Sequence, residues 1–275
     1  MNYENYFKRH LKFIEQELRR LLLSHQARPL SIHKAMHYAA FTGGKRFRPV
    51  LALAACEACG GKPRAVTLAA LAIELIHTYS LVHDDLPALD NDDMRRGKPT
   101  CHKKFGEANA ILAGDGLLNL AFETIARIKP SDRALRILGE ISTASGAHGM
   151  IGGQVADLEI PAHKKTLGVH DFISRYKTGA LIRVSVVAGA LAAGASSGKI
   201  KAMARYGECL GLAFQVVDDI LDQDGCCEVM SVEVAIKKAM RLIGQAKSSV
   251  KLFGRKAQDL IFLADFLEKR IPYGK

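Results

Sequence analysis

The chain has 275 residues, of which 48% are apolar and 24% are charged, so it can bury the core of one large domain or of two small ones. Its formal net charge of +11 suits three kinds of partner: nucleic acid, an anionic membrane or a small polyanionic substrate. The absence of tryptophan, the 7% aromatic content and the lack of a long basic run argue against nucleic acid.

Helical periodicity dominates the chain, and the alternation typical of strands is nearly absent. We expect one all-α domain over residues 1–275, because no change in composition and no linker divides the chain. Long helices that are apolar on nearly every side imply a layered bundle with one or two central helices. The predicted helices, in chain order, cover residues 4–23, 31–41, 49–59, 64–83, 105–128, 132–150, 178–195, 199–222, 232–252 and 256–270.

The N-terminal stretch MNYENYFKRHLKFIEQELRR is too charged to serve as the apolar core of a signal peptide. The most apolar run, from Val184 to Ala195, is too short to span a bilayer and is rich in small residues. We interpret it as a buried helix on which neighbouring helices pack closely. With six scattered cysteines that suggest no disulfide framework, these features favour a cytoplasmic protein without stable membrane association.

The fourth predicted helix leads into an acidic segment, SLVHDDLPALDNDDMRRGKPT, at residues 80–100. The segment contains five aspartates: Asp84, Asp85, Asp90, Asp92 and Asp93. The first two lie at the C-terminal end of the helix, where the helix dipole already places negative partial charge. Carboxylates at that end are unfavourable unless a cation is bound.

A second acidic cluster lies far away in sequence, in LAFQVVDDILDQDG. Its polar residues recur at helical spacing along an otherwise apolar helix: Gln215, Asp218, Asp219 and Asp222. One such cluster is typical of a solvated helix end, but two that face each other would form a cage of oxygen ligands. All-oxygen sites with few carboxylates suit Mg²⁺, which completes its shell with water and substrate phosphates.

Basic residues that could bind those phosphates occur in three segments. They are FTGGKRFRP, the pair Arg95–Arg96, and RYKTGALI, where Lys177 and Thr178 begin a helix whose N-terminus favours anions. The two glycines of the first segment allow close backbone approach. These residues predict two anion sites, one shared with the metal and one formed by Lys45, Arg48, His77 and Arg96.

At this point the chain resembles the trans-prenyltransferases, also called the polyprenyl synthetase or trans-isoprenyl diphosphate synthase family. The matching blocks are GGKRFRP, HTYSLVHDDLPALDNDDMRRGKPT, CHKKFGEANAILAGDGLL, RYKTGALI and FQVVDDILD. They follow the family's order over almost the whole chain and look most like those of the bacterial farnesyl diphosphate synthases. The resemblance implies an all-α isoprenoid-synthase bundle around a central cavity, usually a homodimer, with three Mg²⁺ ions in each active site.

The implied reaction joins isopentenyl diphosphate head to tail with dimethylallyl or geranyl diphosphate, through an allylic carbocation, to give farnesyl diphosphate. The implied metal ligands are Asp84, Asp85, Asp90, Asp218, Asp219 and Asp222. The implied catalytic residues, which bind the allylic diphosphate, are Arg95, Lys177, Thr178 and Gln215. Isopentenyl diphosphate is expected to bind Gly44, Lys45, Arg48, His77 and Arg96. Released pyrophosphate is the expected base for the final proton, and His83 is interpreted as a structural or supporting residue.

Tyr79 is expected to set the length of the product. It precedes Asp84 by five residues, which is about 7.5 Å along a helix axis. In the family, a bulky aromatic side chain at this position blocks the end of the cavity and stops growth at the 15-carbon farnesyl product. Ser80, which follows Tyr79 in this chain, is also expected to affect product length. The alternative is that Tyr79 is an ordinary core residue.

Other functions share parts of this pattern. A geranylgeranyl diphosphate synthase would use the same sites and make a longer product. A class I terpene cyclase shares the aspartates and Mg²⁺ but binds only one diphosphate. A non-catalytic prenyltransferase subunit would tend to lack the paired aspartates, and a phosphohydrolase using His83 and Asp84 would need further metal-binding histidines.

The segment after Asp222 departs from the family pattern. Family members continue through a flexible loop with a lysine that reaches the allylic diphosphate, whereas QDGCCEVMSVEVAIKKA leads almost directly into the next helix. Either the chain lacks the loop or residues near 225–227 have been omitted. We favour omission, because mobile lids of active sites are often disordered without ligand.

Overall fold

The computed structural model describes residues 3–22 and 24–272, without the side chains of residues 3–5 and 162. Its helices are α1 Tyr3–Leu21, α2 Leu30–Phe41, α3 Phe47–Ala58, α4 Pro63–Asp84, α5 Cys101–Phe105, α6 Glu107–Ala126, α7 Ser131–Ser145, α8 Met150–Glu159, α9 Leu167–Ile173, α10 Ala180–Ala192, α11 Ser197–Asp222, α12 Val232–Ser249 and α13 Gln258–Glu268. Two strands, β1 Met94–Arg95 and β2 Lys98–Pro99, pair antiparallel in a small hairpin. The expected all-α class is therefore confirmed; Leu23, the predicted end of the first helix, lies outside the described residues.

Helix α4 is the central helix of the bundle and carries the first acidic cluster at its end. Pro63 begins the helix, where its missing N–H leaves no intrahelical hydrogen bond unmade. Within the described ranges it is the one helix long and apolar enough to cross a membrane, yet 72% of its most apolar window is buried inside the protein. Contacts with α3, α6 and α10 explain this composition.

Small residues let the helices around α10 approach closely, as the sequence predicts. A Cβ atom added to Gly189 of α10 would lie 2.9 Å from the Cβ atom of Ala55 on α3. A Cβ atom added to Gly211 of α11 would lie 2.7 Å from the Cα atom of Gly179. Larger side chains would push these helices apart, because protein interiors have no spare volume at such distances.

Two predicted helices are each divided in the structure. Gly106, with φ of +83°, separates α5 from α6 inside the predicted helix 105–128. The predicted helix 132–150 ends at Ser145, and Gly146 and Gly149 lie between it and α8. Helix α9 was not predicted; it leads into a π-helical turn, Ser174–Gly179, that joins α10. These unpredicted elements matter because they line the candidate site.

The connection between α11 and α12 is short and continuous. Gln223, with φ of 57°, ends α11, and a 3₁₀ turn over Gly225–Glu228 precedes α12. The given sequence runs through this connection without a gap. The expected omission of residues near 225–227 stays a prediction.

Candidate active site

Two adjoining cavities lie next to the two acidic segments, one beside each segment. The larger has a volume of about 420 Å³, and its lining includes Tyr79 and Asp84 of α4. The second has a volume of about 310 Å³, and its lining includes Asp219 of α11. Lys177 and Thr178, in the π-helical turn, line both cavities. The two acidic segments therefore flank one shared pair of polar residues.

Asp84 is the carboxylate that lines the larger cavity, and no described side chain forms an ion pair with it. Burial raises the pKa of Asp84 to about 6; nearby Lys177 lowers it, whereas Asp90 and Asp85 raise it further. The backbone N–H of Asp90 donates a hydrogen bond of 2.9 Å to the carbonyl oxygen of Asp84. This turn folds the chain back, so Asp90 lies exposed beside the end of α4.

Asp85 and Arg95 neutralise each other. The Nε atom of Arg95 donates to Oδ1 of Asp85 at 2.6 Å, and Nη2 of Arg95 lies 3.5 Å from Oδ2 of Asp92. Arg95 was expected at the allylic diphosphate and Asp85 at a metal ion. This ion pair holds the hairpin carrying Arg95 against the buried carboxylate of Asp85.

A chain of hydrogen bonds orders the second acidic segment. Thr178 Oγ1 donates to Gln215 Oε1 at 2.8 Å, and Gln215 Nε2 donates to Asp219 Oδ1 at 2.9 Å. The N–H of Cys226 donates to the other oxygen of Asp219 at 2.9 Å, and a Cβ atom at Gly225 would lie 2.6 Å from the carboxyl carbon. Asp219 is only 4% exposed, so in this structure it fixes Gln215 and the short turn.

Asp218 and Asp222 lie one helical turn apart on α11. Arg270, after α13, donates from Nη2 to Oδ1 of Asp218 at 2.7 Å. Burial raises the pKa of Asp218, and Arg270 opposes that increase. Asp222 is exposed at the end of the helix. Sequence reasoning missed Arg270, because a lone arginine near the end of the chain carries no local signal.

The segment expected to bind isopentenyl diphosphate depends on a glycine. Arg96 donates from Nη1 to the carbonyl oxygen of Gly43 and packs over Gly44, which has φ of +131°. A Cβ atom at Gly44 would lie 2.9 Å from Cζ of Arg96. The backbone conformation therefore favours glycine at position 44, and a methyl group there would have to displace the guanidinium group of Arg96.

Three residues predicted to bind isopentenyl diphosphate lie in or near this segment, and two of them are partly buried. Burial lowers the pKa of Arg48 to about 10, and its Nε atom has no hydrogen-bond partner among the described residues. Burial, with Arg48 and Arg96 nearby, holds the pKa of His77 well below its usual value. Burial also lowers the pKa of Lys45, and its Nζ atom lies 5.7 Å from the ring centroid of Phe266. A partly buried arginine with an unpartnered N–H group is suited to an anionic ligand.

Arg46, which lies between the two predicted ligands Lys45 and Arg48, has a different function. Its guanidinium is buried and donates to Glu15 at 2.7 Å and to Glu74 at 2.8 Å. Its backbone is left-handed, with φ of 49°. Arg46 therefore anchors the segment from inside, whereas Arg48 lines the larger cavity and Lys45 is exposed.

Helix α8 supplies two residues that the sequence analysis missed. Asp157 accepts from Lys177 Nζ at 2.7 Å and from Lys165 Nζ at 2.5 Å. Gln154 lines the larger cavity, and its side-chain amide has no hydrogen-bond partner in the described part of the chain. The i, i+3 spacing of these polar residues in GGQVADLE would have indicated a helix face, but the paired glycines obscured it.

Tyr79 lies at the apolar side of the larger cavity, below Asp84. It is 5% exposed, its ring meets the His83 ring edge to face at 5.7 Å, and its hydroxyl has no partner among the described residues. Ser80 Oγ donates to the carbonyl oxygen of His77 at 3.0 Å. His83 Nε2 lies 3.0 Å from the carbonyl oxygen of Ile111, so it links α4 to α6.

The acidic residues are suitable ligands for Mg²⁺, but the substrate would have to supply the remaining ligands of each ion. In the described part of the chain, no group of three or more His, Cys, Asp or Glu residues could hold a metal ion by itself. The donors are carboxylate oxygens, the type that Mg²⁺ prefers, and the ion commonly takes further ligands from water and phosphates. Asp84 and Asp90 have no ion-pair partner among the described side chains, so a divalent cation would relieve their mutual repulsion.

Comparison with known proteins relates the chain to one family. The polyprenyl synthetase family model matches residues 29–235. A farnesyl diphosphate synthase of Geobacillus stearothermophilus is 50% identical over 205 residues, which cover 73% of this chain and 69% of that protein. A chloroplastic geranylgeranyl pyrophosphate synthase of Capsicum annuum is 42% identical over 266 residues, or 88% of this chain and 72% of that protein. The apo crystal structure of an FPP/GFPP synthase from Zymomonas mobilis matches with a TM-score of 0.91 and 34% identity, over 96% of this chain and 98% of that one.

Proposed function

The chain belongs to the polyprenyl synthetase family and is a prenyltransferase, and we propose that its product is farnesyl diphosphate, made from isopentenyl diphosphate and dimethylallyl or geranyl diphosphate. The observation that carries the product assignment is the position of Tyr79. Its ring lies one and a half helical turns before Asp84 on the wall of the same cavity. A prenyl chain whose diphosphate lies near Asp84 would meet this ring as it grows along α4.

The residues of the larger cavity support binding of the allylic substrate. Lys177 and Thr178 face the space beside Asp84, and Gln215 is held in place by its bond to Asp219. These groups would orient the diphosphate, and the apolar lining would exclude water from the prenyl chain. Bound Mg²⁺, which we propose as three ions, would supply the Lewis acidity for loss of the diphosphate.

A second diphosphate site beside the first supports a two-substrate reaction. Arg48 and His77 line the larger cavity, and the Arg96 side chain covers the glycine turn that precedes Lys45. The arginine and lysine side chains, with His77 as an uncharged hydrogen-bonding group, would bind isopentenyl diphosphate and present its double bond to the allylic carbon. A class I terpene cyclase, which binds one diphosphate, would have no use for this second set.

We also propose a homodimer. Apolar side chains of Ile111 and Leu112 on α6 and of Leu135 on α7 are exposed, and α6 and α7 pack side by side. A second copy of the chain covering both helices would bury these side chains. Light scattering of the purified protein should then give twice the mass of the chain; the monomer mass at working concentrations would contradict this assignment.

Product analysis tests the proposed function. The protein is incubated with Mg²⁺, isopentenyl diphosphate and either dimethylallyl or geranyl diphosphate, and the products are identified as alcohols after phosphatase treatment. Farnesol should dominate, and omission of isopentenyl diphosphate should leave geranyl diphosphate unchanged. Geranylgeraniol as the main alcohol would assign the longer product, which the Capsicum annuum relative is named for. Cyclic hydrocarbons formed without isopentenyl diphosphate would indicate a cyclase.

A further inference from the structure

One carboxylate in the second cavity holds two lysines. Lys177 donates to Oδ2 of Asp157 at 2.7 Å, and Lys165 donates to Oδ1 at 2.5 Å. Lys177 comes from the π-helical turn, whereas Lys165 comes from the connection between α8 and α9. The Lys165 side chain is only 16% exposed, and both lysines line the cavity.

The charges of these three residues determine what Lys177 can do. If Asp157 paired with Lys177 alone, the pair would have no net charge. Asp157 would then compete with any anionic ligand for the ammonium group of Lys177. With Lys165 on the other oxygen, the three groups carry a net positive charge. Burial alone would raise the pKa of Asp157, but hydrogen bonds from Lys165 and Lys177 outweigh burial and hold that pKa below its usual value. Asp157 therefore stays ionised and keeps both lysines.

The other charged residues that line the second cavity are acidic, so the positive charge of Lys165 matters for anion binding there. Its lining also includes three acidic residues, Asp219, Asp224 and Glu228. Asp224 and Glu228, which are not expected metal ligands, would repel a polyanionic diphosphate near Lys177, so each cation that faces the cavity counts towards binding. Among the described lysine and arginine residues, only Lys165 and Lys177 line it.

We propose that Lys165 is a positioning residue for the allylic diphosphate. Because Lys165 pairs with Asp157, the ammonium group of Lys177 is left able to bind the substrate. This inference rests on the proposed function and deepens it. Lys165 need not touch the substrate; its effect passes through the shared carboxylate. A purely structural Lys165 would instead tie the connection before α9 to α8, and its loss would lower stability without discriminating between the two substrates.

Adjacent lysines offer a matched control. Lys164 is exposed and makes no side-chain ion pair in the described structure, so Lys164→Gln makes the same charge change one residue away. The test compares Lys165→Gln, Lys165→Arg and Lys164→Gln by steady-state kinetics with geranyl and isopentenyl diphosphates. For Lys165→Gln we expect KM for geranyl diphosphate to rise about tenfold, which corresponds to about 1.4 kcal/mol. KM for isopentenyl diphosphate and the melting temperature should stay unchanged.

Two further readouts separate positioning from structure. Lys165→Arg should restore most of the affinity, because a guanidinium can occupy the same oxygen of Asp157. Calorimetric titration with inorganic pyrophosphate in Mg²⁺ should show a similar weakening for Lys165→Gln and none for Lys164→Gln.

The inference is overturned if Lys165→Gln leaves KM for geranyl diphosphate unchanged while the wild-type protein makes farnesyl diphosphate. It is also overturned if Lys164→Gln has the same effect, or if Lys165→Gln raises both KM values together and lowers the melting temperature. A wild-type protein that forms no prenyl diphosphate would instead contradict the proposed function, so the two failures are distinct.

Discussion

Replacing Asp84 by asparagine should stabilise the protein in the absence of divalent metal at neutral pH, although it should remove most of the activity. Burial raises the pKa of this carboxyl from 3.8 to about 6, with repulsion from Asp90 and Asp85 and a partial offset from Lys177. The ionised form is therefore less favourable in the folded state than in the unfolded state. Asparagine has nearly the same shape and carries no charge, so it removes that penalty.

The magnitude follows from the difference in pKa. A shift of about two units corresponds to about 3 kcal/mol, since each unit is worth about 1.4 kcal/mol. Partial exposure of the side chain reduces this value through solvent screening, so we expect about 1–2 kcal/mol. For a chain of this size, that is a rise in melting temperature of about 2–4 °C. The penalty grows as the pH rises from about 4 through about 6 and is complete above that range.

The assay is denaturant and thermal unfolding in a metal chelator at about pH 7.5 and again at about pH 5. The advantage of Asp84→Asn should be largest at the higher pH and should shrink at the lower one, where Asp84 of the folded wild-type protein is mostly protonated. Asp115→Asn is the control, because the Asp115 side chain is 60% exposed and its replacement should change stability by less than about 0.5 kcal/mol. If Asp84→Asn were neutral or destabilising at pH 7.5 without metal, the description of Asp84 as a strained carboxylate would be wrong.

Three further substitutions test other parts of the site. Tyr79→Ala should lengthen the main product beyond 15 carbons, as seen by chromatography of the dephosphorylated alcohols, because it removes the ring on the cavity wall; an unchanged product would show that Tyr79 is only a core residue. Gly44→Ala should raise KM for isopentenyl diphosphate about tenfold or more with little effect on KM for geranyl diphosphate, because the methyl group would displace Arg96; equal changes in both would contradict a separate second site. Arg46→Met should lower the free energy of unfolding in urea by about 3–5 kcal/mol, because it leaves the charge of Glu74 buried and unpaired, and adding Glu74→Met should recover part of that loss; no loss in the single variant would refute the anchoring role of Arg46.

The helical architecture was predictable because apolar residues recur at helical spacing over most of the chain. The exceptions have local causes. Gly106 and Gly149 interrupt stretches whose composition is otherwise helical, and α9 is too short to show a periodic pattern. The π-helical turn adds a residue to a helix, a change that no hydrophobic period reveals.

The residue types of the candidate site were also predictable, but their partners were not. The family resemblance assigned Asp85 to metal and Arg95 to substrate, whereas the structure pairs the two residues with each other. The sequence also gave no sign that Arg46 would pair with Glu15 and Glu74. Such differences depend on which groups burial brings together, and that is set by contacts between distant parts of the chain.

We propose that the acidic segments ending α4 and α11 bind one diphosphate through metal ions between them. The most direct measurement is a crystal structure with Mg²⁺, isopentenyl diphosphate and an unreactive thiolo analogue of an allylic diphosphate. We expect metal ions between the analogue's diphosphate and both Asp84 and Asp218, with Arg270 displaced from Asp218 or shared with the ligand. Density for the diphosphate and its metal ions away from either aspartate would contradict the claim.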